Sequence, residues 1–219
     1  MKGEKTLLSI DWDWITGDCS PPKSHGCCGW CQPTKRRKTR GGIKKLKENW
    51  CNRLNLLRTL SPIDTGGGLW IAECHADILK IANPDFTNRI VHLDSHTDDA
   101  DWFGLCCGSW ISFLPNKIAI ETDKKWLKTK SHGRRIKGTT EKLENLVFYD
   151  VFCCLSSPWT PKSMDHFFWD LIYYLANEMN VDPLFIGHRH VELARDWRKY
   201  ERSRTRTNKG IGLTDSLSY

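Results

Sequence analysis

Five stretches of the chain are short, apolar and rich in β-branched and aromatic residues: Leu7–Trp14, Leu69–Cys74, Arg89–Ser95, Lys117–Glu121 and Leu146–Leu155. Most are apolar on both faces, the pattern of strands in a parallel sheet covered on both sides. After Thr160-Pro161 the period changes. Met164, Phe167, Phe168, Leu171, Ile172, Leu175 and Met179 follow the spacing of one buried helical face, so a helix is expected from Pro161 to about Met179, capped by Thr160. A second helix is expected from His75 to Ala82, stopped by Asn83-Pro84, and a basic amphipathic one over Lys44–Leu60. Strands alternating with helices predict an α/β domain with a mostly parallel sheet.

The 219 residues suit a single domain over 1–219, within which residues 16–42 read as an irregular Cys-rich insertion and 200–219 as a polar tail. A hydrophobic share of 39% with 27% charged residues excludes wholesale disorder. No apolar run approaches the roughly 18 residues of a membrane span, and the first residues carry acids where a secretion signal needs an apolar stretch. A cytoplasmic protein is the expectation.

Net charge is +7 but uneven. Residues 35–58 hold ten Lys/Arg against Glu48 alone, and residues 188–209 hold eight against Glu192, Asp196 and Glu201. A third basic run spans Lys124 to Lys137. Either these are solvated faces or they meet an anionic partner. Ten cysteines without a secretion signal are expected mostly as thiols or metal ligands, with Cys106-Cys107 and Cys153-Cys154 buried as small hydrophobes. Cys28 and Cys31, with Cys19 and Cys51, are the candidates for a structural Zn²⁺; the plainer alternative is a reduced Gly-rich loop beside the site.

The chemistry gathers at strand ends. The first strand ends Ser9-Ile10-Asp11-Trp12-Asp13, the third runs His92-Leu93-Asp94-Ser95-His96-Thr97-Asp98, and the second ends at Glu73-Cys74-His75. Residues two apart on an extended chain share a face, so Asp11 pairs with Asp13, and Asp94 with His96 and Asp98. Open α/β sheets place ligands at the carboxyl ends of their strands. Four carboxylates cannot stay buried unpaired, whereas four carboxylates and two imidazoles can hold two divalent ions bridged by a shared carboxylate. Oxygen and nitrogen donors without thiolate suit Mn²⁺, with Fe²⁺, Ni²⁺ or Zn²⁺ as competitors.

These three segments resemble the metal-binding motifs of the ureohydrolase (arginase/agmatinase) superfamily, and within it a divergent group that includes the peptide arginases. The resemblance covers about a third of the chain and implies a three-layer αβα arginase-like domain. It implies Asp11, Asp13, His75, Asp94, His96 and Asp98 as ligands of two Mn²⁺ ions. Gly108-Ser109-Trp110 falls where arginases keep a substrate-binding loop, which makes Ser109 and Trp110, with Asp99, candidates to bind substrate. Two features depart from the family pattern. The Asp-x-Asp strand comes first in the chain rather than last, and Thr16 stands where the family has a third Asp, with Asp18 two residues on.

The implied reaction is hydrolysis of a guanidinium group, most aptly peptidyl-arginine to peptidyl-ornithine and urea, with an arginine-containing precursor peptide as partner. Asp98 or a nearby histidine is expected to move the proton, His188 among them, with Glu73, Asp99, His92 and the segment Gly187-His188-Arg189-His190 as candidates near the site; His188 and His190 read equally well as surface loop histidines. Free arginine and other amidines or amides are variant substrates. A basic nucleic-acid-binding protein and a metal-stabilised interaction domain are the alternatives from other classes, and the oligomeric state, a homo-oligomer included, is left open.

Overall fold

The computed structural model describes residues 5–16, 55, 57, 66–94, 96–99, 104–122, 136–139, 142–157, 160 and 162–208. Its strands are β1 (Thr6–Asp11), β2 (Leu69–Ala72), β3 (Arg89–Leu93), β4 (Ala119–Thr122), β5 (Ile136–Gly138), β6 (Asp150–Cys154) and β7 (Leu184–Phe185). They form one sheet in the order β5-β4-β3-β1-β6-β2-β7, every pairing parallel. The helices are α1 (Trp12–Thr16), α2 (Asp165–Met179) and α3 (His190–Asn208).

The two faces of the sheet carry separate cores. Leu8, Ile10, Leu69, Ile71, Val91, Leu93, Val151 and Cys153 point to the side covered by α2 and α3, where Phe168, Leu171, Ile172, Leu175 and Trp197 close over them. Leu7, Ile90, Ile120, Phe152 and Cys154 point to the opposite side, under the 3₁₀ helices His75–Lys80 and Trp110–Phe113. This is the α/β architecture expected, with helical layers on both sides of a parallel sheet.

Several local expectations are corrected. Extended chain stops at Asp11, because Asp11 Oδ1 accepts the Asp13 N–H at 3.0 Å and so caps a helical turn over Trp12–Thr16. The helix expected over His75–Ala82 is a 3₁₀ helix that ends at Lys80. Thr160 does not cap α2: its hydroxyl donates back to the Leu155 and Ser156 carbonyls, at 3.2 and 3.3 Å. The polar stretch from residue 200 continues α3 as far as Asn208, and Arg204 Nη1 lies 2.6 Å from Asp170 Oδ1. Cys74, Cys106, Cys153 and Cys154 are buried free thiols, as expected, but Cys107 is disulfide-bonded. The Cys-rich insertion, its candidate zinc ligands and nearly all of the helix expected over Lys44–Leu60 also lie outside the described residues. No helix among the described residues is long and apolar enough to cross a membrane.

Candidate metal centre

β1 lies between β3 and β6 at the middle of the sheet, and the register pairs Ser9 with His92 and Ile10 with Leu93. Asp11 and Asp94 therefore leave the sheet side by side. β2, one strand beyond β6, delivers His75 at the same edge. Asp11, Asp13, His75, His92, Asp94 and Asp98 are all buried, and His96 is partly exposed.

The donors fall into two overlapping groups. In the first, His75 Nδ1 lies 2.9 Å from Asp11 Oδ2, 3.6 Å from Asp94 Oδ2 and 3.4 Å from Asp98 Oδ2. In the second, His96 Nδ1 lies 2.8 Å from Asp13 Oδ2 and 3.5 Å from Asp94 Oδ1. Asp94 belongs to both, one oxygen turned to each. Donors bound at about 2.1 Å to one ion sit roughly 3 to 4 Å from one another, so most of these spacings could accommodate an ion, while the two shortest are also those of His–Asp hydrogen bonds. The buried oxygen Asp94 Oδ2 has no hydrogen-bond partner. Oxygen and nitrogen donors at these separations fit a divalent metal ion.

The surrounding groups hold the donors in place. Trp110 donates its indole N–H to Asp98 Oδ2 at 2.7 Å and stacks on His75 with ring centres 5.0 Å apart. Ser156 Oγ donates to Asp11 Oδ2 at 2.7 Å. Asp98 and Ser156 both have left-handed backbone, with φ of 53° and 46°. Such conformations are costly for residues with a Cβ and persist where the surrounding structure fixes them.

Burial, then the charges of Asp11 and Asp94, pushes Asp13 well above the usual carboxylate range. Burial, then the charges of Asp94 and Asp11, does the same to Asp98. Burial would also raise Asp94, but the imidazoles of His92 and His96 beside it outweigh that and hold Asp94 well below. Burial would lower His96, yet its contacts with Asp13 and Asp94 push it up to about 12. Burial lowers His92 and raises the Cys154 thiol, so both favour the uncharged form. Desolvation and like charge thus pull the acids one way while the imidazoles pull the other.

The structure brings together all six residues expected as ligands. Ser109, Trp110, Asp99, His188 and Glu73, expected to bind substrate or move protons, lie outside this donor set. Ser109 is committed locally: its hydroxyl donates to the Gly104 carbonyl at 2.7 Å and accepts the Cys106 N–H at 3.0 Å. Trp110 is fully buried and orients Asp98. Asp99 is half-buried and belongs to none of the metal-competent groups. His188 is exposed, and its neighbour Arg189 reaches inward instead, 3.1 Å from the buried Glu73 Oε2. Glu73 Oε1 accepts from the Ser157 N–H at 3.1 Å and from the Ser157 hydroxyl, so this carboxylate ties the ends of β2 and β6 to the turn before α3.

Sequence reasoning missed the roles of Ser9 and Ser156, and it placed Arg189 near the site only as part of the segment Gly187–His190. Ser9 carried a signal, a polar residue two before Asp11 and flanked by Leu7, Leu8 and Ile10. No protein-family model, curated protein or solved structure matches this chain.

Proposed function

We propose that the cluster is a two-metal centre that hydrolyses a guanidinium group, with arginine in a peptide as the substrate. The observation that carries this reading is Asp94, whose two oxygens face separate donor groups, His75 with Asp11 and Asp98 on one side and His96 with Asp13 on the other. Four carboxylates with neutral imidazoles balance the charge of two divalent ions. Such ions, Mn²⁺ foremost, would bring the pKa of water to near neutrality and polarise the carbon under attack.

The chain's own groups account for the rest. Ser156 and Trp110 fix Asp11 and Asp98 by hydrogen bonds, so the carboxylates need not reorganise during the reaction. Asp98, oriented by the Trp110 indole at the edge of the donor cluster, is the group we assign to relay a proton to the leaving amine. The exposed Arg195, Arg198 and Arg202, one helical face of α3, offer a docking surface for acidic residues of the peptide.

The test has two steps. Protein purified without chelator is analysed for metal, and urea release is then followed with an arginine-containing peptide and with free arginine. About two manganese-class ions per chain with urea from the peptide supports the reading. Metal without urea from either substrate would sink it.

A further inference from the structure

We propose that His92 is a further ligand of this centre, held in its ligating orientation by Ser9; the proposal rests on reading the cluster as a metal centre. His92 Nε2 is completely buried and has no hydrogen-bond partner. It lies 3.3 Å from Asp94 Oδ2 and 3.9 Å from Asp98 Oδ2. With His75 and Asp98 it forms a group whose donor atoms all lie within 4.8 Å of one another. Two buried polar atoms, His92 Nε2 and Asp94 Oδ2, thus face each other without a hydrogen bond, an arrangement that costs free energy unless a third group sits between their lone pairs.

The far side of both rings is set by one hydroxyl. Ser9 Oγ is 2.7 Å from His75 Nε2 and 3.4 Å from His92 Nδ1. A serine oxygen has two lone pairs and accepts an N–H from each ring. Each imidazole then carries its proton on the Ser9 side and turns its other nitrogen, Nδ1 of His75 and Nε2 of His92, toward the carboxylates. The sheet holds the arrangement, because Ser9 and His92 are register partners on β1 and β3.

A chemical asymmetry follows. The position beside His75 has two imidazoles, whereas the position beside Asp13 has only His96. Nitrogen-rich sites favour Zn²⁺, Ni²⁺ or Fe²⁺ relative to Mn²⁺, so the two positions differ in metal preference.

The experiment loads the full chain with Co²⁺ and records the contact-shifted imidazole N–H resonances by NMR, with binding constants from calorimetry. Three shifted resonances are expected in the unaltered protein. His92→Gln should keep two and weaken one binding step ~100-fold, leaving the other step in place; Ser9→Ala should weaken the same step by about tenfold, and Ser9→Thr should restore it. Ser9→Ala removes a single oxygen and leaves the sheet hydrogen bonds intact, so it decides the matter if His92→Gln does not fold. Two resonances in the unaltered protein, or Ser9→Ala and His92→Gln binding within about twofold of it at both steps, would overturn the proposal. Failure to bind any divalent ion would remove the metal centre itself. Three resonances without urea release would leave His92 a ligand and sink only the guanidinium chemistry.

Discussion

Asp13 Oδ2 stands 2.8 Å from His96 Nδ1, joining the helical turn after β1 to the loop after β3. The pair makes metal-free stability depend on pH. His96 is raised from 6.5 to about 12, so its contribution is complete below 6.5 and is lost as pH rises toward 12. Asp13 and Asp98 are raised above 3.8, and their contributions are likewise lost as pH rises through the raised values. Asp94 is lowered and loses its contribution only in acid, as pH falls below 3.8. The chelator-treated protein should therefore show a falling Tm from about pH 6.5 to about pH 9. Saturating Mn²⁺ should reverse the slope, because the ion displaces the proton on His96. Thermal unfolding followed by circular dichroism checks both arms; a rising metal-free Tm would contradict the assignment.

Asp94→Asn and His96→Ala should differ in kind. Asp94 serves both donor groups, so Asp94→Asn should lower binding of both ions and abolish urea release. His96→Ala should abolish urea release but spare the ion beside His75. Neither should change the far-ultraviolet circular dichroism, since neither side chain is part of the apolar cores. Equilibrium dialysis against Mn²⁺ separates one lost ion from two, and urea release that persists in either variant with added Mn²⁺ refutes the ligand set.

Trp110→Phe keeps an aromatic ring against His75 and removes the indole N–H from Asp98. Leaving a buried carboxylate oxygen without its donor costs about 1–3 kcal/mol. The expected result is a Tm lower by a few degrees and kcat reduced about 10–100-fold. Were kcat unchanged, the indole would have no part in orienting Asp98.

Arg189 and His188 are neighbours with opposite expected phenotypes. Arg189→Ala takes the guanidinium from the buried Glu73 and should destabilise by about 3 kcal/mol. His188→Ala changes an exposed imidazole and should alter neither Tm nor urea release. A large loss of kcat in His188→Ala would restore it as a proton carrier.

The strands were legible as short runs apolar on both faces, and most of the cluster because residues two apart on an extended chain share a face. Asp11 and Ser9 alternate along β1, and Asp94 and His92 along β3, so the polar face could be read directly. Ser156, Trp110 and Arg189 come from loops and turns, where tertiary packing decides which side chain turns inward. β5 and β7, of three and two residues at the edges of the sheet, are too short to carry a period. α3 buries Leu193 and Trp197, four residues apart, but its charges disguise that stripe. Asp13 was placed on the right side for the wrong local reason, since it belongs to a helical turn and not to the strand.

β1 comes first in the chain yet lies in the middle of the sheet. Its carboxylates meet their partners only after β3 and β6 have closed on either side, and those strands are far away in sequence. Of this cluster's donors, an unfolded chain keeps together only those close in sequence, such as the trio Asp94, His96 and Asp98. An ion that discriminates so strongly between folded and unfolded chain stabilises the fold by about 2.7 kcal/mol at a free concentration about a hundred times its Kd. If the cluster holds an ion, then when metal runs short copies of this protein would be lost to unfolding and proteolysis rather than stored metal-free, so its abundance would follow metal supply with no dedicated sensor.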